Sequence, residues 1–155
     1  MKARLNYSKA APDAYGAVKA LDSYVVNDSG LEPRLIHLIK LRASQINGCA
    51  YCVDMHVKEA RRDGLSEQWI ALIAVWQESP IFTEEERAVL AWTEALTLIA
   101  QTRAPDADFE ALSRFFSEAE MTKLSVAIAA INVWNRLAVG FRSQHGIDKP
   151  AVVAA

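Results

Sequence analysis

Apolar side chains recur three and four positions apart along almost the whole chain, the spacing that puts them on one face of an α-helix. From Pro12, which suits a first helical turn, Tyr15, Val18, Leu21 and Val25 form one stripe that Asn27, Asp28, Ser29 and Gly30 interrupt. Pro33 opens a second helix in which Leu35, Ile36, Leu38, Ile39, Leu41 and Ile46 are too many for one face, so burial on several sides is expected before Asn47-Gly48 ends it. A third helix starts near Cys49 and stops at Gly64, a residue suited to a left-handed C′ position. Ser66 caps a short helix carrying Trp69, Ile70, Ile73 and Val75, and Gln77 to Phe82, with Pro80 inside, reads as a linker. Thr83 with Glu86 is a capping box opening a helix through Ala88, Leu90, Ala91, Ala95 and Leu98. After Pro105 comes a short helix around Phe109, Leu112, Phe115 and Phe116. A second capping box, Ser117 with Glu120, starts a long helix through Leu124, Ile128, Ile131, Trp134, Leu137 and Phe141. The tail after Gly146 is expected to be loose. No segment alternates at period two for long enough to make a sheet, so the fold class is all-α, a multi-helix bundle.

Composition narrows this further. With 155 residues, 52% of them hydrophobic, and a net charge of -2, the chain suits one domain over 1–155 with its core at about 12–145, and gives no electrostatic reason to bind nucleic acid. MKARLNYSKAAPD has two early basic residues but no apolar core of a signal peptide. No stretch approaches the ~18 uninterrupted apolar residues of a membrane span. A cytoplasmic protein without membrane attachment is expected. Because the apolar content is spread over nearly every helix, homo-oligomerisation through helix faces is expected too.

The chemistry concentrates in CAYCVDMH, which holds both cysteines, Cys49 and Cys52, and one of three histidines, His56. At about 100° per residue, positions i, i+3 and i+7 of a helix fall on one narrow stripe. A CxxC at a helix start also brings its thiols within disulfide reach, where the unpaired amides of the first turn favour a thiolate. Three readings fit these residues. The sulfurs could be simple core side chains with His56 satisfying a carbonyl. They could bind zinc, His37 completing a Cys₂His₂ set, although a zinc module normally brings its second ligand pair at its own short spacing. Thiol redox catalysis is the third, and two cysteines three apart are no secreted disulfide framework.

Other polar and aromatic residues have plainer roles. Trp69, Trp76, Trp92 and Trp134 occupy helical positions suited to core or interface, and Lys58, Glu59, Arg61, Arg62 and Asp63 read as a solvated mixed-charge run. Asn132, Asn135 and Arg136 interrupt an apolar helix and need polar partners, in a subunit contact or beside the site. Ile46-Asn47 and Ile131-Asn132 echo one another, as a duplicated helical unit or chance would both produce.

LIKLRASQINGCAYCVDMHVKEAR, from Leu38 to Arg61, resembles the core motif of the alkylhydroperoxidase D family within the carboxymuconolactone decarboxylase-like superfamily. The likeness extends to PIFTEEERAVLAWTEALT and INVWNRL, and so over most of residues 30 to 142. It implies a helical subunit assembling into homotrimers or homohexamers, and an antioxidant peroxidase that reduces organic hydroperoxides or hydrogen peroxide without a metal or other cofactor. By the same resemblance Cys52 attacks the peroxide and becomes a sulfenic acid, Cys49 donates a proton and then closes the disulfide, and His56 belongs to the proton relay. Re-reduction is implied to come from an external dithiol such as a lipoyl-bearing protein. Helix electrostatics alone would make Cys49, nearer the N-terminus, the more acidic thiol.

Two positions depart from the family pattern. Twelve residues before Cys49 the family's relay glutamate is replaced by His37. An imidazole can accept a proton, but it ordinarily titrates near about 6.5 against about 4.3 for glutamate, which moves the working pH upward. Inside the CxxC, where some members carry histidine, this chain has Tyr51, whose hydroxyl can bond a thiolate or the relay and whose ring can pack against a neighbouring subunit. Lactone decarboxylation on the same architecture is the rival enzymatic reading, and a redox-sensing or zinc-binding oligomer the non-enzymatic one.

Overall fold

The computed structural model describes residues 2–148. Among them every regular element is helical, as the periodicity requires. The bundle is organised around α3 (Pro33–Ile46), which packs against α4 (Ala50–Arg62), α6 (Glu84–Thr97) and α9 (Glu118–Phe141). Its crowding with apolar residues has the expected cause: Leu38, Ile39 and Leu41 are fully buried on different sides of the helix. Around it lie α1 (Tyr7–Ala10), α2 (Pro12–Ser23), α5 (Glu67–Leu72), α7 (Ile99–Thr102) and α8 (Asp106–Ser113).

Helix α9 is 24 residues long, and its most apolar stretch has a mean hydropathy of 1.4, so by length and composition it could cross a membrane. Here it is a core helix, with Leu124, Ile128 and Ile131 buried against the rest of the bundle. Both capping boxes are present. Thr83 and Glu86 exchange hydrogen bonds at the start of α6, and Ser117 and Glu120 do so at the start of α9. The tryptophans are structural as expected: the indole N–H groups of Trp69, Trp76 and Trp92 donate to Glu86, Glu94 and Ser125.

The differences from the periodic reading are local. The first long helix does not run straight into Asn27; it widens into a π turn over Tyr24–Asp28, which brings Val25 into the core. The helix after Ser66 tightens at Ile73 into a 3₁₀ segment that reaches Glu78, so the linker is shorter than expected and Val75, at the kink, is half exposed. Helix α1 was not anticipated. Asn6 caps it, and Tyr7 packs 5.9 Å from the ring of Phe141 and 6.1 Å from Tyr15. Arg4 completes this strap by donating to the carbonyls of Gly140 and Phe141 at the end of α9. Of the tail after Gly146, Ile147 is exposed and Asp148 pairs with Lys58 at 2.7 Å; residues 149–155 lie outside the described residues.

Candidate active site

The turn between α3 and α4 places the cysteines. Gly48 adopts φ +62, the Gly48 N–H donates to Gln45 O, and the Cys49 N–H reaches back to Ser44 O at 3.0 Å. This is a Schellman closure, which a residue without Cβ makes at least cost. Cys49 therefore ends one helix and caps the next: its Sγ accepts the Cys52 N–H at 3.3 Å. A side chain of the turn itself, at the C-cap of α3, pins it to α9. Asn47 Nδ2 donates to Asn132 Oδ1 at 3.0 Å and to Asn135 Oδ1 at 2.9 Å. Asn135 in turn donates to Ser44 Oγ, Asn132 to Thr97 Oγ1, and Arg136 to Asn132 Oδ1. The polar residues that interrupt α9 thus have their partners beside the site, and the two echoing asparagines, Asn47 and Asn132, bond one another.

Cys49 and Cys52 are joined in a disulfide, with Cα atoms 5.3 Å apart. They are 1% and 2% exposed, packed under Ala138 of α9 and the ring of Tyr51. His56, one turn beyond Cys52, is 2% exposed. Its Nδ1 lies 2.7 Å from Glu59 Oε2, and its buried Nε2 has no hydrogen-bond partner. The Glu59 carboxyl is held below its ordinary range, first by the hydrogen bond from His56 and then by the charges of His56, Lys40 and Arg62, against partial desolvation. In the neutral form of the ring, a Glu59 carboxylate against Nδ1 draws the single proton there and leaves Nε2 as an acceptor.

His37 is buried on α3, but its bond goes elsewhere. Its Nε2 sits 2.9 Å from Asp63 Oδ2, its Nδ1 is unpartnered, and no hydrogen bond joins it to His56 or to either cysteine. The same contact lowers the titration of the Asp63 carboxyl. His37 and Glu59 nevertheless share a cleft of about 470 Å³, whose walls include Lys40, Arg62 and Asp63. Tyr51 lines two further cavities of about 360 and 320 Å³. One lies toward Tyr7 and Tyr15, the other toward Met55, Lys58 and Glu59. Its hydroxyl makes no hydrogen bond among the described residues. The four-residue zinc set weighed from the sequence is not gathered: among the described residues no three His, Cys, Asp or Glu side chains are grouped to hold a metal ion.

A profile of the carboxymuconolactone decarboxylase family matches residues 12–95, more than half of the chain. The chain belongs to this family. Its all-α architecture matches that of an Agrobacterium tumefaciens protein of unknown function, described as a candidate AhpD antioxidant defence protein. The two share 65% identity and a TM-score of 0.93 over 95% of this chain and 100% of that one. The uncharacterised protein YdfG of Bacillus subtilis is 34% identical over 139 residues, covering 90% of this chain and 94% of its own. The apo structure of the debrominase Bmp8 is 25% identical with a TM-score of 0.77, over 88% of this chain and 73% of that one. The alkylhydroperoxidase D resemblance read from Leu38 to Arg61 and from the two later segments is thus matched by the family profile and by the shared helical fold. Sequence reasoning missed Glu59, which it placed in a solvated charge run. The available signal was its spacing: Cys52, His56 and Glu59 stand at i, i+4 and i+7.

Proposed function

We propose that this family member is a thiol-dependent peroxidase that reduces organic hydroperoxides or hydrogen peroxide through a Cys49–Cys52 disulfide cycle. One observation carries the reading: a buried CxxC disulfide at the N-terminus of α4, with an imidazole one turn beyond it whose buried Nε2 has no hydrogen-bond partner. In the reduced protein the Cys52 thiolate attacks the terminal oxygen of ROOH and the O–O bond breaks. The departing alkoxide takes up the thiol's former proton and leaves as ROH, and Cys52 becomes a sulfenic acid. The Cys49 sulfur then attacks Cys52, the S–O bond breaks, and hydroxide leaves as water with the Cys49 proton. Two thiols and one peroxide become one disulfide, one alcohol and one water. An external dithiol, such as a lipoyl group on a protein, returns the electrons by thiol–disulfide exchange. Assembly as a homotrimer or homohexamer in the cytoplasm belongs to the same proposal.

The relation to the debrominase supports one second reading. The same dithiol can give two electrons to a carbon–bromine bond, releasing bromide and replacing bromine by hydrogen. Lactone decarboxylation, by contrast, transfers no electrons and leaves the cysteine pair unused. The test is anaerobically reduced protein mixed with stoichiometric cumene hydroperoxide or, separately, a brominated pyrrole. Free thiols are counted and the disulfide is located by mass spectrometry. Loss of two thiols per chain with the peroxide alone supports the peroxidase; loss only with the pyrrole supports dehalogenation. Intact thiols with both defeat the two-electron chemistry.

A further inference from the structure

The family's relay carboxylate is missing at position 37, and the structure offers a replacement from within α4. We infer that Glu59 is the positioning residue of the relay, holding His56 through Nδ1 so that Nε2 receives the Cys52 proton. This rests on the thiol chemistry proposed above and adds a residue to it.

Three observations support the assignment. Cys52, His56 and Glu59 stand on one stripe of one helix, each within a turn of the next. The Glu59–His56 contact at 2.7 Å engages Nδ1 and leaves the other ring nitrogen unbonded, while His37 is bonded to Asp63. Finally, His56 Nε2 is buried without a partner in the disulfide state. A buried unpaired nitrogen is costly, and such atoms usually have a functional reason. Here the chemistry supplies one: a disulfide sulfur carries no hydrogen, whereas a reduced Cys52 has a proton to give. On this assignment, the disulfide takes away the donor that a reduced Cys52 offers to Nε2.

The surroundings keep Glu59 charged. Lys40 of α3 bears on it, and Lys40 Nζ itself lies 3.0 Å from Asp22 Oδ1 of α2. Lys19 of α2, His37 of α3, and Arg62 and Asp63 of α4 line the same cleft. The Glu59 side chain is 33% exposed, so it meets this cleft while its partner stays dry. When His56 takes the thiol proton, Glu59 provides the counter-charge. When the alkoxide departs, the proton passes to it from Nε2 and the imidazole is neutral again beside the Glu59 carboxylate.

The test uses reduced protein in a Cys49→Ser background, where one thiol remains, and follows thiolate ultraviolet absorbance against pH without any peroxide. Glu59→Gln is expected to move the midpoint upward by about one pH unit, tenfold less thiolate at a fixed pH, because the imidazolium loses its counter-charge. Glu59→Asp is expected to recover part of the shift. In the unmutated protein, nitrogen shifts of His56 should report the Nδ1–H tautomer for the neutral ring, a readout that does not depend on any variant folding. An Nε2–H tautomer, a Glu59→Gln curve superimposed on the parent, or a shift seen with His37→Gln and not with Glu59→Gln overturns the assignment. Because no peroxide is present, a failed peroxidase would still show the Glu59 shift, and the two failures are distinct.

Discussion

Replacing Asn135 by alanine tests whether the asparagine network holds the cysteine turn in place. Asn135 is 1% exposed, accepts from Asn47 Nδ2 at 2.9 Å and donates to Ser44 Oγ at 3.0 Å. Its loss removes the only hydrogen bond Ser44 Oγ makes among the described residues, and that hydroxyl is fully buried. Leaving a buried polar group unpaired costs about 1–3 kcal/mol, and Asn47, which keeps its Asn132 bond, loses about 1 kcal/mol more. Asn135→Ala should therefore destabilise the reduced protein by about 2–4 kcal/mol, a large part of a typical total of about 5–15 kcal/mol. Guanidinium denaturation of wild type, Asn135→Ala, Ser44→Ala and the double variant measures both the loss and the coupling. The coupling should reach about 1 kcal/mol because the two groups are each other's partners. Disulfide closure in Asn135→Ala should also slow, since Cys49 is set by the turn that Asn47 anchors. A cost below about 0.5 kcal/mol, as for a surface residue, or a double variant equal to the sum of the singles would refute the role given to the network.

Three further outcomes follow from the site and the surface. Cys52→Ser should abolish reaction with peroxide, while Cys49→Ser should leave a Cys52 sulfenic acid that a dimedone probe traps; trapping Cys49 instead would give the attacking role to the cysteine that caps α4. Glu59 titrates below its ordinary 4.5 in the folded protein, so its contribution to stability is complete above about pH 4.5 and is lost as pH falls through the depressed value. Denaturation midpoints measured from pH 6 downward should thus decline less steeply in Glu59→Gln, and equal slopes would deny the link. Val26, Ile99, Phe109 and Val139 are large apolar side chains left at the surface, so sedimentation at micromolar concentration should show a trimer or hexamer; a monomer unaffected by dilution removes the oligomer.

What the sequence disclosed and what it withheld divide along physical lines. Helix starts at Pro33, Thr83 and Ser117 were legible because a cap is settled by residues within one turn of each other. The Asn47-Gly48 turn was legible for the same reason. The π turn at Tyr24 and the 3₁₀ segment at Ile73 were not, because both are adjustments of register made so that neighbouring helices can pack. Helix α1 is four residues long, below what propensity can nucleate alone, and depends on Tyr15 and Phe141 for support. The two histidines show the limit most clearly. Spacing aligned His56 with the cysteines, but His37 and Asp63 are 26 positions apart, and nothing short of the α3–α4 contact pairs them.

The cover over the disulfide comes from a segment well downstream of the cysteines it hides. Ala138 is translated 86 residues after Cys52, an interval of about 4–17 s at ribosomal speeds of ~5–20 residues per second. Through that interval the nascent thiols have neither their lid nor the α9 asparagines that anchor their turn, and oxidants meet them as ordinary exposed cysteines. A ribosome stalled between the two positions holds the cysteine pair uncovered, and only completion of α9 closes the bundle over it.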